Sequence, residues 1–129
     1  LSREEASRQL ARVSHLPLLI NDITFKLDKG GKEVVRIHAN RLFEPAVFAI
    51  EGDQPRFVID IKDPIVPRTP PAKLLVNGRF IKRIRTHLQQ VPRRLRIVLD
   101  LHPLEDYMVN QLFYRAENIY ALEVAKERK

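Results

Sequence analysis

The stretch Arg94-Leu95-Arg96-Ile97-Val98-Leu99-Asp100-Leu101 decides the fold. Leu95, Ile97, Leu99 and Leu101 take every second position, with Arg94, Arg96, Val98 and Asp100 between them. A period of two puts the two sets on opposite faces of an extended strand; a helix would scatter both around its axis. One face is apolar and the other carries charge, as in a strand that covers a core on one side only.

The same alternation recurs along the chain. Phe57, Ile59 and Ile61 alternate with Arg56, Val58, Asp60 and Lys62, and Val35, Ile37 and Ala39 alternate with Arg36 and His38. Further strands are expected at 18–27, 46–50, 73–76, 80–86, 107–113 and 118–124. Turn chemistry separates them: Asp28-Lys29-Gly30-Gly31, Gly52-Asp53-Gln54-Pro55, Asn77-Gly78 and residues 89–92. Asn-Gly is the strongest short hairpin signal of these. Pro64, Pro67, Pro70 and Pro71 break the pattern and mark an extended connection, because proline removes ladder donors.

The chain repeats itself across that connection at an offset near sixty residues. Ile20, Ile23 and Leu27 fall on Ile81, Ile84 and Leu88; Val35, Ile37 and Ala39 fall on Leu95, Ile97 and Leu99; Val47 falls on Val109. Residues 56–61 match 119–124 in pattern. Neither half can bury an apolar face alone, so the expectation is all-β: a sandwich of two similar sheets of about four strands each, with pseudo-two-fold symmetry. The β domain spans 17–125, with halves at 18–62 and 73–124. A short N-terminal helix is expected within 1–16, capped by Ser2, with Glu4 and Glu5 in its first turn and Pro17 ending it. Residues 126–129 form a charged tail.

With 129 residues and 44% apolar content, the chain suits one domain with its own core. It lacks cysteine, which excludes disulfides, thiolate metal sites and cysteine nucleophiles. No apolar window is long enough to span a bilayer. The chain opens Leu1-Ser2-Arg3 without Met, and reads as part of a longer protein.

Catalytic patterns are missing. His15, His38, His87 and His102 are scattered without metal-ligand spacing; Ser2, Ser7 and Ser14 lack a nucleophile context. Asp60 and Asp100 could pass for a carboxylate pair, but they alternate among arginines, and pairing with Arg56, Arg83 or Arg96 explains them better. The chain reads as a non-enzyme without metal or cofactor.

The net charge of +7 favours an anionic partner. Its cations cluster at 79–85 and 93–96. Arg83 and Arg85 share a strand face, as do Arg94 and Arg96, so pairing of those strands would gather a guanidinium patch suited to carboxylates or phosphates. Arg83, Arg85, Arg94, Arg96 and Arg56 are the candidate ligand-binding residues. Nucleic acid is disfavoured, because most aromatics face inward by parity and no recognition helix is present.

Four stretches together resemble the AMIN domain family: residues 20–25 (INDITF), 54–61 (QPRFVIDI), 80–85 (FIKRIR) and 94–101 (RLRIVLDL). Their order and spacing cover about 18–124. AMIN domains occur in bacterial envelope proteins, including cell-wall amidases and type IV pilus secretins. The resemblance implies a periplasmic, non-catalytic module that localises its host by binding peptidoglycan or another anionic envelope polymer. The alternative is a protein–protein interaction module of a secretion or pilus assembly, with envelope proteins as partners. The N-terminal helical segment and the long proline connection depart from the family pattern, and no amidase or secretin sequence follows Val124.

Overall fold

The computed structural model describes residues 16–103 and 107–127. Its strands are β1 (Ile20–Leu27), β2 (Glu33–Ala39), β3 (Ala46–Ile50), β4 (Arg56–Lys62), β5 (Lys73–Leu75), β6 (Ile81–Gln90), β7 (Arg93–Leu101), β8 (Tyr107–Tyr114) and β9 (Ile119–Lys126). They form two antiparallel sheets, one ordered β1-β2-β9-β8 and the other β3-β4-β7-β6-β5. The all-β expectation holds, with one sheet larger than expected by the short β5. The expected N-terminal helix lies, except for Leu16, outside the described residues.

The inward positions are the apolar parity sets. Val35 and Ile37 of β2, Ile59 and Ile61 of β4, Leu95, Ile97 and Leu99 of β7, and Leu122 of β9 are almost fully buried in one cluster. Burying such a side chain stabilises by about 1.5–3 kcal/mol, so this one cluster is the main favourable term. Tyr120, Phe43 and Phe113 close one part of it, with ring centroids 5.2–5.9 Å apart.

Each sheet takes strands from both halves of the chain. Hairpin β1–β2 joins β9–β8 through the β2·β9 ladder, and hairpin β6–β7 joins β4–β3 through the β7·β4 ladder. The pseudo-two-fold therefore exchanges the two sheets. Ile23 lies opposite Ile37 as Ile84 lies opposite Leu99, and an irregularity recurs at Ile20/Asp22 and Ile81/Arg83. The ladders correct the sequence register. Glu33↔Val124 and Ile37↔Tyr120 in one sheet match Leu95↔Ile61 and Leu99↔Phe57 in the other. Val35 therefore corresponds to Ile97, not Leu95, and Val47 to Gln111, not Val109. A strand of period two looks the same after a slip of two residues, and only pairing fixes the register.

That correction sets Glu33 at an inward position equivalent to Leu95. Its carboxylate is only 1% exposed and reaches across to the second sheet. It accepts hydrogen bonds from the Phe80 N–H (3.1 and 3.2 Å) and the Ile81 N–H (2.7 Å). Gly78 makes the space: a Cβ there would lie 2.4 Å from Glu33 Oε1. In the Asn77-Gly78 connection it is Asn77, with φ 50°, that takes the left-handed backbone.

The proline connection is stitched to β1. The Ile65 N–H donates to the Leu18 carbonyl at 2.7 Å, and the Ile20 N–H donates to the Ile65 carbonyl at 2.9 Å. The turn expected at 89–92 is tighter than read, because β6 continues to Gln90 and β7 starts at Arg93.

Candidate functional site

The outer face of the β3-β4-β7-β6-β5 sheet collects all five candidate arginines. Strand parity and register fix their places. Arg56 lies beside Asp100, Asp60 beside Arg96, and Lys62 beside Arg94 across the β4·β7 ladder. Arg83 flanks Asp100 from the other side, and Gln89 flanks Arg94, across β6·β7. Lys73 of β5 lies beside Arg85. Successive same-face positions are about 6.6 Å apart and strands about 4.8 Å apart, so Arg56 and Lys62 stand about 20 Å apart along β4.

Two carboxylates organise the arginines. Arg96 meets Asp60 in a two-pronged contact, Nε to Oδ1 and Nη2 to Oδ2, both 2.8 Å. Asp100 accepts from Arg83 Nε and Arg85 Nε at 2.6 Å each, and from Arg85 Nη2 at 2.8 Å. The Arg96 hydrogen bonds hold the Asp60 carboxyl below its ordinary value against the opposing effect of burial. Burial pushes Asp100 up, but the hydrogen bonds and charges of Arg85 and Arg83 together outweigh it, and this carboxyl also lies low. Both acids are therefore ionised at neutral pH and act as struts for cations. Of the arginines expected to pair with these acids, Arg96 takes Asp60 and Arg83 takes Asp100; Arg85, not expected as a partner, shares Asp100, and Arg56 pairs with neither acid.

Among the described residues, Arg56 and Arg94 are the arginines of this face without a carboxylate partner, as Lys62 and Lys73 are its lysines; Arg36 on the other sheet shares the unpartnered Nε. The Nε atoms of Arg56 and Arg94 are buried and find no hydrogen-bond acceptor among the described residues, although Arg94 Nη2 donates to Gln89 Oε1 at 3.1 Å. On this face Arg56, Lys62, Lys73, Arg83, Arg85, Arg94 and Arg96 stand against Asp60 and Asp100 alone. On the outer face of the other sheet the balance is closer: Lys26, Arg36 and Lys32, whose Nζ lies 3.8 Å from Glu123 Oε1, stand against Asp22 and Glu123. Seven cations less two acids leave an excess of five positive charges on this one sheet face, against a net +7 for the whole chain. That asymmetry is not shared by the core, where the sheets are near equivalents.

The register exposes how it arose locally. Arg83, Arg85 and Asp100 occupy the positions that Asp22, Thr24 and His38 occupy in the first half. There, Thr24 Oγ1 and His38 Nε2 are 3.0 Å apart, a hydroxyl–imidazole hydrogen bond in the place of the arginine–aspartate cluster.

Lys62, Lys73 and Phe48 were not singled out by sequence. Lys62 shares the parity of Arg56 and Asp60 and was legible. Lys73 needed the β5·β6 register. Phe48 is an exception to the mostly inward aromatics: it points outward, is 41% exposed, and lies with its ring centroid 5.8 Å from the Arg96 guanidinium carbon. Tyr114 is a second outward aromatic, on the other sheet. Among the described residues no three His, Asp or Glu side chains come together as a metal-binding set. Among the described residues no helix is long and apolar enough to cross a membrane. A groove at the β1 edge is lined by residues 20–23 and by Val66, Arg68 and Pro70, and includes none of the five candidate arginines.

What the arrangement can do follows from its shape. It is an open sheet face with charge spread over several strands, so it suits an extended anion better than an enclosed small molecule. No protein-family model matches the chain, and no curated protein matches it.

Proposed function

We propose that this chain is a non-catalytic module of the bacterial cell envelope that localises its host protein by holding peptidoglycan, or another anionic envelope polymer, on the outer face of the β3-β4-β7-β6-β5 sheet. The observation that carries the proposal is the charge imbalance of that face, where, among the described residues, Arg56 and Arg94 have no carboxylate partner beside arginines already braced by Asp60 and Asp100. Guanidinium groups fixed by struts meet the carboxylates of a wall polymer with less rotamer entropy to lose than free side chains would. The AMIN-like order of strands supports the same partner and a periplasmic setting. Nucleic acid fits less well: the face offers a single exposed aromatic, Phe48, and Arg96 already covers its ring.

Co-sedimentation with purified sacculi tests this. The wild-type chain should pellet at low salt and return to the supernatant as salt rises. Arg56→Ala/Arg94→Ala should pellet several-fold less, with an unchanged circular dichroism spectrum. Wild type that stays in the supernatant, or equal pelleting of both proteins, would exclude this face as the binding surface.

A further inference from the structure

The edge strand β8 carries features that an outermost strand normally avoids. Its eight residues, Tyr107-Met108-Val109-Asn110-Gln111-Leu112-Phe113-Tyr114, contain no charge, no proline and no glycine. Its pairing with β9 runs without irregularity from Tyr107↔Lys126 to Tyr114↔Ile119. Its outward side chains Met108, Leu112 and Tyr114 are 37–40% exposed. Exposed edges are ordinarily blunted by charge, proline, bulges or brevity. The other three edges follow that rule. Strand β1 is bridged by Ile65 at Leu19, is irregular at Ile20/Asp22 and carries Asp22 and Lys26. Strand β3 has five residues behind Pro45, and β5 has three.

We propose that β8 is the site at which a second copy of this chain adds, antiparallel and strand to strand, to make one continuous eight-stranded sheet. The occupant follows from charge and from self-match. Two chains of net charge +7 repel over most of their surfaces, but β8 against β8 opposes only neutral side chains in any register. Opposed residues in an antiparallel pair share a sheet face, so a two-fold pairing must centre on one residue. Centred on Asn110, it sets Met108 against Leu112 of the second copy on the outer face. Asn110 meets its own counterpart on that same outer face, while on the inner face Tyr107 is set against Phe113 and Val109 against Gln111. Centring on Gln111 is disfavoured, because its side-chain oxygen already accepts the Tyr120 hydroxyl at 2.8 Å.

The two-fold axis then stands perpendicular to the shared sheet. Both second sheets lie on the same side of it, and both arginine faces look the same way. A dimer of this kind would hold a repeating polymer at two places, and avidity would exceed the affinity of one face. The dimer itself does not depend on what those faces bind. An eight-residue edge buries less than the ~1,200 Å² of a standard interface, so its Kd should be weaker than about 1 μM.

The absence of native cysteine permits a clean test. In the proposed pairing, Asn110→Cys brings two Cβ atoms to about 4.5–5.5 Å, close to disulfide range. Ala46→Cys is the control, because Ala46 holds the equivalent place on β3. Under mild oxidation of the full chain without ligand, Asn110→Cys should form covalent dimer at least ten-fold faster than Ala46→Cys. Adding Leu112→Lys, which opposes a charge to Met108, should return the rate to the control level while the thermal melt remains cooperative. Equal rates for the two cysteine variants, or a rate unaffected by Leu112→Lys, would overturn the proposal. Sedimentation velocity of wild type gives an independent readout: a rise in mean mass with concentration is expected, and a constant monomer up to about 1 mM, far above the Kd expected of any specific contact, would overturn it too.

Discussion

Gly78→Ala should be among the most damaging single-methyl substitutions in this chain, although Gly78 is not itself in the apolar core. The new Cβ would fall 2.4 Å from Glu33 Oε1, 2.6 Å from Cδ and 2.8 Å from Oε2, all inside van der Waals contact. A flexible exposed carboxylate would step aside. This one is 1% exposed and is held by the N–H groups of Phe80 and Ile81. Moving it breaks charge-assisted hydrogen bonds worth about 1.5–3 kcal/mol each and strands a buried charge. The expected loss is about 3–5 kcal/mol, a large part of a typical domain's stability. Urea unfolding followed by far-ultraviolet circular dichroism measures it, since the chain has no tryptophan. A double-mutant cycle isolates the cause. In a Glu33→Ala background, itself destabilised, Gly78→Ala should cost under about 1 kcal/mol, which gives a coupling of at least about 2 kcal/mol. Additive costs, or a Gly78→Ala loss below about 1 kcal/mol in the wild-type background, would refute the role assigned to Glu33 as the clasp between the sheets.

Further outcomes follow from the same contacts. Asp100→Asn should lower stability by about 1–2 kcal/mol in urea unfolding, because Arg83 and Arg85 lose their shared carboxylate, and should raise the fraction pelleted with sacculi, because two cations are released. Asp60 and Asp100 have folded values below their unfolded ones, so their stabilisation is complete above about pH 4 and is lost as pH falls through the folded values. The urea midpoint of wild type should therefore drop below pH 4 more steeply than that of Asp60→Asn/Asp100→Asn. Tyr120→Phe removes the 2.8 Å hydrogen bond to Gln111 but keeps the ring against Phe43 and Phe113, and should cost about 0.5–1.5 kcal/mol in the same assay.

Strand positions and inward faces were legible in the residues, because alternation is a direct imprint of one buried face. All of 33–39, 46–50 and 56–62 coincide with observed strands. Partner choice was not legible to the same degree. A slip of two residues preserves parity, so Val35 matched Leu95 in sequence and Ile97 in the ladders. The same slip hid Glu33, whose inward parity was readable but whose acceptor role depends on the approach of Phe80 and Gly78 from the other sheet. The arginine face was readable where charge shared a strand's outer parity, as with Arg83 and Arg85. Which guanidiniums are braced and which are free is a property of cross-strand neighbours, and so separates Arg96 from Arg94 only in three dimensions.

The most direct measurement is amide chemical-shift mapping of the labelled chain during titration with soluble, carboxylate-bearing peptidoglycan fragments. Binding through the basic sheet predicts perturbations spread along the length of β4 and β7, from Arg56 through Val58, Val98 and Arg96 to Arg94, that fade with added salt. Perturbations centred on Arg36, Ala121 and Leu112 of the opposite sheet, or no saturable shifts at all, would contradict it.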